Sequence, residues 1–399
     1  MLSLNTDAFN LFNNKFRFYL LLVLFFIVSN VDAITSSSHK KMVKLVPFQN
    51  LVTTGARSVE YFTIGKNKYL AVAQFGKDLP QGNVNRDGGD SDITSPIYQW
   101  NGKKFVMMQN LPSHGARDWQ SFSIRNNDYL ALANLRTGKG PYNSDTFSTI
   151  YQWDGIRFVP IQDILTQAAQ EWCHFVIDGQ TFLTVANYAT QQGGKINFQI
   201  NSDIYRWDGQ KFILFQSIPT NGAFNITSFD IGSNHYLAYS NGFGNTSDVY
   251  IWKNNHFVLL QQIPSNKARD IDSFVIDGKY YLALANLGGD SVINQWNGNK
   301  FVSYQTIKGA GGRRFVFFST KGHHYLVKIN YLIGNKMVLK SDVYEWQDTK
   351  FKLITQFTTY GGTDATYFTI GNQNYLAVAN ANKSNTSFRV DSVIYKFIG

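Results

Sequence analysis

One phrase recurs seven times along the chain and accounts for most of its length. In the first copy, Phe62 stands seven residues before the pair Tyr69-Leu70, and Ser95 stands five residues before Trp100. Gly, Asn, Asp and Lys fill the short gap between the first two apolar runs, as they do in tight turns. The constant spacing predicts that each copy contains short β-strands joined by turns of fixed length.

A fourth strand completes six of the seven copies. A Phe follows each Trp by five residues, and four of the six intervening turns contain Asn-Gly or Asp-Gly, the strongest short hairpin signal. Repeats of about 44–60 residues with four strands each are typical of propeller blades. The sequence therefore predicts an all-β fold, a seven-bladed β-propeller of four-stranded antiparallel blades.

The two ends of the repeated region complement each other. The last copy has no fourth strand of its own, whereas Lys44–Gln49 resembles a fourth strand that precedes the first copy. We expect this N-terminal strand to pair with Ile394–Phe397 of the C-terminal blade. Such pairing would close the ring and leave only short, protected strand edges.

The N-terminal segment is predicted to be a secretory signal peptide covering residues 1–33. Lys15 and Arg17 precede an apolar run over 18–28, and small residues end the segment at Ala33. The run is shorter than the roughly 20 residues that a membrane span needs. Residues 34–42 are predicted to be a flexible leader and residues 43–399 the propeller. The sequence therefore favours a secreted, extracellular protein without membrane insertion.

Charge and cysteine content narrow the classes of partner. The net charge of +10 favours acidic protein surfaces or acidic glycans, and nucleic acid is not expected as a partner outside the cell. Cys173 is alone, which excludes an intramolecular disulfide. We expect a small buried hydrophobic side chain there; the alternative is an intermolecular bridge.

The repeated phrase resembles a known family. Phe-x6-Tyr-Leu-Ala-Val-Ala-Asn, Ser-x-Ile-Tyr-x-Trp and Phe-Val-x-x-Gln are similar to the EAR repeat, also called EPTP, of the leucine-rich glioma-inactivated proteins and of the thrombospondin-type laminin G domain and EAR repeat proteins. The resemblance covers residues 44–399. It implies a seven-bladed propeller that acts as an extracellular protein-interaction module.

Candidate binding residues lie on the loops that vary in length between copies. The connections between the second and third strands are long in blades 1–3, at Phe75–Thr94, Leu135–Phe147 and Tyr188–Asn201. Binding residues concentrate on loops carried by a rigid scaffold; the alternative is that these loops are tolerated insertions. The loop candidates, together with two Trp residues outside the repeated register, are Lys77, Arg86, Arg136, Lys139, Tyr142, Tyr188, Lys195, Phe198, Trp119 and Trp172.

A polar position recurs four residues before each repeated Phe and is expected at the mouth of the central channel. Around the ring it reads Ser58, Asp118, Glu171, Asn225, Asp270, Arg314 and Asp364. The family resemblance implies calcium in the central channel, with Asp118, Asp270 and Asp364 as candidate ligands. Arg314 instead favours a ring of ion pairs, so no cofactor or metal is assigned. The acidic loop 87–92 is a second calcium candidate, against the alternative of a solvated loop.

Four sequons predict N-glycosylation in a secreted protein. Asn245, Asn382 and Asn385 fall in loops and are expected to be exposed, whereas Asn225 begins an inner strand, where a glycan is doubtful.

No catalytic motif accompanies these features. The sequence has no Gly-x-Ser-x-Gly, no His-Glu-x-x-His and no glycine-rich phosphate loop, and its histidines are scattered. We expect a secreted, non-enzymatic binding module that engages a cell-surface receptor or extracellular-matrix protein through the loop-bearing face. The alternative is a lectin-like binder of acidic glycans.

Overall fold

The computed structural model describes residues 43–192 and 195–399, and all regular elements within them are β-strands. The predicted signal peptide and leader lie outside the described residues. No helix in the described part of the chain is suited to crossing a bilayer.

Seven four-stranded antiparallel sheets make up the fold, together with one small hairpin. The described chain starts with β1 (Lys44–Leu51). Blade 1 consists of β2 (Ala56–Ile64), β3 (Asn67–Gln74), β4 (Asp92–Trp100) and β5 (Phe105–His114). Blade 2 consists of β6 (Ala116–Ile124), β7 (Asn127–Asn134), β8 (Asp145–Trp153) and β9 (Phe158–Gln167). Blade 3 consists of β10 (Ala169–Ile177), β11 (Gln180–Asn187), the inserted hairpin β12 (Thr190–Gln192) and β13 (Lys195–Asn197), then β14 (Gln199–Trp207) and β15 (Phe212–Asn221).

The remaining blades repeat the pattern without a hairpin. Blade 4 consists of β16 (Ala223–Ile231), β17 (Asn234–Asn241), β18 (Thr246–Lys253) and β19 (His256–Pro264). Blade 5 consists of β20 (Ala268–Ile276), β21 (Lys279–Asn286), β22 (Ser291–Trp296) and β23 (Phe301–Ile307). Blade 6 consists of β24 (Gly312–Thr320), β25 (His323–Asn330), β26 (Val338–Gln347), β27 (Lys350–Tyr360), and blade 7 of β28 (Gly362–Ile370), β29 (Gln373–Asn380), β30 (Ser392–Ile398) and β1.

The blades form a closed ring. The first strand of each blade packs against the first strands of its two neighbours, and β28 packs against β2. Strand β1 pairs with β30 in antiparallel register, with Leu45 opposite Phe397 and Gln49 opposite Ile394. These observations confirm both the seven-bladed propeller and its closure by the N-terminal strand.

The hydrophobic core lies between neighbouring blades. In blade 1, Phe62 stacks on Tyr69 with ring centroids 5.3 Å apart and meets Phe158 of blade 2 edge-on at 5.9 Å. Trp119 and Trp172 belong to this core, with 2% and 1% of their surface exposed. Their assignment to a binding surface is therefore wrong, because their side chains pack between the blades and cannot meet a ligand.

The serine that stands five residues before each repeated Trp or Phe has a structural role. In all seven blades its buried hydroxyl accepts a hydrogen bond from a backbone N–H of the second strand, as Ser95 does from Gln74 at 3.0 Å. The other six pairs are Ser148–Asn134, Ser202–Asn187, Ser247–Asn241, Ser291–Asn286, Ser341–Asn330 and Ser392–Asn380.

The glutamine of Phe-Val-x-x-Gln joins the outer strands of neighbouring blades. Gln49 donates to the carbonyl of Phe105 at 2.8 Å and accepts from its N–H at 3.0 Å. The same pair of bonds links Gln109–Phe158, Gln162–Phe212, Gln216–Phe257, Gln261–Phe301 and Gln305–Phe351. Blade 6 has Thr355 at this position, so its junction with β1 lacks the glutamine clamp.

Candidate functional site

A β-bulge shapes the channel end of every inner strand. The register of the first two strands shifts by one residue immediately before the polar channel position, as between Ala56 and Ser58 in blade 1. A bulge re-aims side chains, and in five blades two consecutive residues of the inner strand, such as Arg57-Ser58 and Arg117-Asp118, line the channel. The channel therefore carries two stacked rings of side chains.

The lower ring is the polar position predicted from the sequence, and its members do meet. Ser58 Oγ donates to Asp118 Oδ1 at 3.0 Å. The Arg314 guanidinium lies 3.2 Å from Glu171 Oε1, 3.1 Å from Asp270 Oδ1 and 3.1 Å from Asp364 Oδ1. Arg314 thus bridges blades 3, 5, 6 and 7 across the channel.

Four members of the same ring also fasten their blade to the one that follows it. Asp270 Oδ2 accepts the Phe315 N–H at 2.7 Å, and Asp364 Oδ2 accepts the Val59 N–H at 2.9 Å. Asp118 with Trp172 and Asn225 with Ile271 repeat this contact at 3.2 and 3.0 Å. In each case a side chain of one blade holds the backbone of the following blade.

Burial and charge set the protonation of this ring. Burial opposes the charge of Arg314, but the carboxylates of Asp270, Glu171 and Asp364 outweigh burial and raise the pKa of the guanidinium above its usual value. Burial raises the pKa of Glu171 to about 8, although Arg314 acts in the opposite direction. Burial, with the nearby carboxylate of Glu171, also raises the pKa of Asp118.

The lower ring does not fit the calcium ion that the family resemblance implies. Calcium takes six to eight oxygen ligands, and the carboxylates available here already bind the Arg314 guanidinium or backbone N–H groups. Among the described residues, no group of three or more His, Cys, Asp or Glu side chains is arranged to hold a metal ion. The ion-pair alternative therefore describes this ring.

The upper ring is rich in arginine and opens into a cavity of about 490 Å³. The bulged residues are Arg57, Arg117, Gln170, Phe224, Arg269, Arg313 and Thr363. Arg136, from the loop after β7, joins them. We call this cavity the arginine pocket and define it by Arg57, Arg117, Arg136, Arg269 and Arg313.

Two buried aromatic rings hold the five guanidinium groups. Arg57, Arg117 and Arg136 lie 4.5, 4.6 and 4.6 Å from the centroid of Phe75. Arg269 and Arg313 lie 4.4 and 4.3 Å from the centroid of Phe224. Cation–π attraction of this kind offsets part of the cost of removing guanidinium from water.

The pocket is strongly electropositive. Burial lowers the pKa of Arg313 to about 9, with further lowering by Arg269 and Arg57, and it lowers the pKa of Arg136 to about 10. Burial, followed by the charge of Arg57, lowers the pKa of Arg117 as well. Neighbouring positive charges therefore destabilise one another here.

One carboxylate faces these groups from the described pocket lining. Asp87 Oδ1 lies 3.8 Å from Arg57 Nη2, and Asp87 Oδ2 lies 3.4 Å from Arg86 Nε. The Arg136 guanidinium donates to the backbone carbonyl of Asp87 and, at 3.0 Å, to the hydroxyl of Ser91.

The predicted loop residues fall into three groups. Arg86, Arg136, Tyr142, Tyr188 and Phe198 line the arginine pocket. Lys77, Lys139 and Lys195 are exposed on the loops around it. Trp119 and Trp172 lie in the core, as described above. Whether any of these residues binds a partner stays a prediction.

The acidic loop 87–92 is held by ion pairs and hydrogen bonds, whereas one of the two alternatives was a solvated loop. Asp90 is buried, and its carboxylate lies 3.2 Å from Lys77 Nζ and 3.7 Å from Lys139 Nζ. Asp92 lies 2.7 Å from His114 Nδ1 and accepts the Gly138 N–H at 3.0 Å. These acids join the loops of blades 1 and 2 to each other.

The sequons differ in accessibility. Asn245 is exposed, and Asn385 is half-buried. Asn382 is fully buried and donates to the Ser387 carbonyl at 3.3 Å, so its expected exposure is wrong. Asn225 is buried in the channel wall, where it bonds Glu171 and the Ile271 N–H. Glycosylation at these sites stays a prediction.

Sequence reasoning missed most of the arginine pocket. Arg57, Arg117, Arg269 and Arg313 precede the polar channel position by one residue, and in a regular strand such neighbours point to opposite faces. The bulge removes that alternation. Aligning the seven copies at this neighbouring position would have shown four arginines in one ring.

Fold and channel together define a class: a seven-bladed β-propeller whose loop-bearing mouth holds a ligand-sized, arginine-rich cavity. The EPTP domain family matches residues 44–101, 104–154, 157–208, 211–253, 256–297 and 350–397. The chain belongs to this family. Residues 298–349, which contain Arg313 and Arg314, lie outside the matched segments.

Relatives share part of this chain. A mouse (Mus musculus) thrombospondin-type laminin G domain and EAR repeat-containing protein is 34% identical over 72% of this chain and 46% of its own length. Its human (Homo sapiens) counterpart is 37% identical over 38% of this chain and 22% of its own length. Human leucine-rich repeat LGI family member 2 is 35% identical over 24% of this chain and 16% of its own length. The chain thus spans less than half the length of these relatives.

Proposed function

We propose that the chain is a secreted, non-enzymatic binding module that engages a cell-surface receptor or extracellular-matrix protein through its loop-bearing face. This face is formed by the connections between the second and third strands of each blade and by the connections between blades. The observation that carries the proposal is the arginine pocket, a cavity of about 490 Å³ at the channel mouth. Ligand sites in proteins span roughly 300–1,000 Å³.

The loops around the pocket form a cohesive surface. Tyr142 donates from its hydroxyl to the Gly89 carbonyl at 2.8 Å, which links the loops of blades 1 and 2. Asp78 accepts the Phe388 N–H at 2.7 Å, which links the loops of blades 1 and 7. A preorganised surface loses less entropy when a partner binds, which supports a role in recognition.

The chemistry of the pocket supports binding over catalysis. Arginine, aromatic and aliphatic side chains dominate the described lining, and neither His nor Cys contributes to it. This lining supports recognition more than covalent catalysis, which usually uses a nucleophile paired with a His base.

Acidic glycan is the second candidate ligand. The net charge of +10 and the exposed Lys195 on the blade 3 hairpin favour it. Binding to an acidic glycan through exposed lysines should weaken steeply with salt, whereas binding to a protein through the partly apolar pocket should weaken less.

Glycan insertion tests the proposed face. The double substitution K195N/N197T creates a sequon on the exposed loop hairpin of blade 3. The matched control, D208N/Q210T, creates a sequon in the short turn between β14 and β15 on the opposite face of the same blade. Both variants are expressed with the full chain in mammalian cells and are compared with the parent in binding to an array of extracellular domains.

The loop-face glycan should abolish binding of the partner identified with the parent, and the short-turn glycan should leave it intact. Equal binding by two fully glycosylated variants would place the interaction elsewhere. Failure of the parent to bind any array member, while it binds a sulfated glycan, would favour the second candidate.

A further inference from the structure

We propose that the arginine pocket receives the carboxylate side chains of an acidic, partly apolar peptide segment on a protein partner. This inference rests on the proposed function, because it names the chemistry that the partner presents to the loop-bearing face. It adds a ligand class and a set of recognising residues.

The first support is the charge of the pocket. Six arginines line it, the five that contact Phe75 or Phe224 together with Arg86, and Asp87 is the one carboxylate of the described lining. The acids of the ring beneath are already committed, since Asp270 and Asp364 bind Arg314 and backbone N–H groups. A bound anion would supply the missing counter-charge.

The second support is a set of buried donors without acceptors. Arg57 is 2% exposed, and its Nε and Nη2 atoms make no hydrogen bond. Arg117 Nε is also buried and makes no hydrogen bond. An unpaired buried donor destabilises the folded protein, so these groups are suited to donating hydrogen bonds to a ligand oxygen. Guanidinium forks match carboxylates in bidentate geometry.

The third support is the apolar part of the wall. Phe75, Leu135, Phe224 and Leu332 line the cavity beside the guanidinium groups. A peptide segment can offer acidic and apolar side chains together, whereas a sulfated glycan offers anions without apolar groups. A long glycan chain would also need an extended basic track, and this pocket is a compact cavity at the channel mouth. The geometry therefore favours a peptide.

Asp87 acts as an internal competitor for the ligand. Its carboxylate is 48% exposed and faces Arg57 and Arg86 from the rim. A ligand carboxylate that binds Arg57 would displace this contact. Removing the Asp87 charge should therefore strengthen binding, whereas removing a pocket arginine should weaken it.

The test measures binding of a fluorescein-labelled peptide of alternating glutamate and leucine residues to the full chain by fluorescence anisotropy. Arg117→Gln should weaken binding about tenfold or more, since a hydrogen bond to a charged group contributes about 1.5–3 kcal/mol. Asp87→Asn should tighten it severalfold. Arg157→Gln is the matched control, because Arg157 is a solvent-exposed arginine in the turn between β8 and β9 on the opposite face. It should leave the affinity unchanged.

Stability separates a binding role from a structural one. Arg117→Gln removes a buried charge that neighbouring arginines disfavour, so its Tm should equal or exceed that of the parent while the peptide affinity falls. Arg313→Gln should behave in the same way and provides a second variant if Arg117→Gln fails to fold. A variant that loses stability and affinity together would indicate a structural role and overturn the proposal.

A heparin dodecasaccharide provides the competing ligand class. Arg117-dependent binding of the dodecasaccharide without peptide binding would assign the pocket to sulfated glycans and overturn the peptide proposal. Equal peptide affinity of the parent, Arg117→Gln and Arg157→Gln would overturn it as well. The outcome of this test can be distinguished from that of the glycan-insertion test. If peptide binding depends on Arg117 but partner binding is unaffected by K195N/N197T, the proposed binding face is rejected, whereas the proposal that the arginine pocket binds carboxylates stands.

Discussion

Arg314→Met should destabilise the propeller by removing the cation at the centre of the lower channel ring. The wild-type guanidinium contacts Glu171, Asp270 and Asp364 at 3.1–3.2 Å, and the Asp270 side chain is fully buried. Removing one partner of a buried ion pair costs about 3–5 kcal/mol. The Arg314 side chain is 32% exposed, and solvent screening reduces such energies, so we expect a loss of about 2–3 kcal/mol.

The loss of stability caused by Arg314→Met should depend on pH. Without the guanidinium, the pKa values of Glu171 and Asp270 in the folded state, which burial already raises, rise further above their unfolded values. The variant then takes up protons on folding, and its stability is retained at low pH and lost as pH rises. Glu171 has its pKa raised by burial to about 8 in the parent, so the parent stops losing stability through this group as pH passes 8, whereas the variant continues to lose it. The gap in stability between variant and parent should therefore widen from pH 7 to pH 9.

Thermal unfolding followed by circular dichroism at both pH values measures this effect. An unfolding entropy of ~2.1 cal/mol/K per residue over the whole propeller converts about 2–3 kcal/mol into a Tm decrease of about 3–4 °C at pH 9. Arg313→Met is the matched control: its guanidinium is the adjacent one, and it contacts Phe224 instead of carboxylates. Calcium or EDTA should leave the parental Tm unchanged. An equal Tm decrease in both variants, or a decrease that does not grow with pH, would refute the ion-pair reasoning.

Three further predictions concern closure, the glutamine clamp and pH. Deleting residues 43–51 removes β1, which exposes the edge of β30 and should cause aggregation or poor secretion; normal secretion with an unchanged Tm would contradict the closure. Thr355→Gln should add the clamp missing between blade 6 and β1 and stabilise the protein by about 1 kcal/mol, whereas Gln305→Ala, which breaks an existing clamp, should destabilise it in the same denaturation assay. Burial raises the pKa of Glu60 to about 7, so its contribution to stability is fully present below pH 4.5 and is lost as pH rises through 7; Glu60→Gln should flatten this part of the stability–pH curve, and an unchanged slope would count against the assignment.

The repeat phrase was sufficient to predict the architecture. Strand order, blade number and ring closure follow from the spacing of Phe62, Tyr69, Ser95 and Trp100 and its six further copies. These are local signals, in which turn residues and alternating apolar positions act over short stretches of chain. The sequence also predicted that one polar residue per blade lies at the channel, because sevenfold repetition brings equivalent positions together.

The site depended on contacts that no local pattern encodes. A bulge in every inner strand turns a second residue, such as Arg57, into the channel. Packing between blades buries Trp119 and Trp172, which the sequence placed among the candidate binding residues because they lie outside the repeated register.

Loop contacts between distant parts of the chain were equally beyond sequence reasoning. Phe75 of blade 1 meets Phe388 of blade 7 edge-on at 5.6 Å, and Asn382 of the same blade 7 loop is buried. Such contacts form only after the ring closes, because closure brings the first and last blades side by side. The sequence by itself determined the repeating strands and their order, whereas the tertiary structure decided which side chains reach the channel mouth, since that depends on bulges and on contacts between blades.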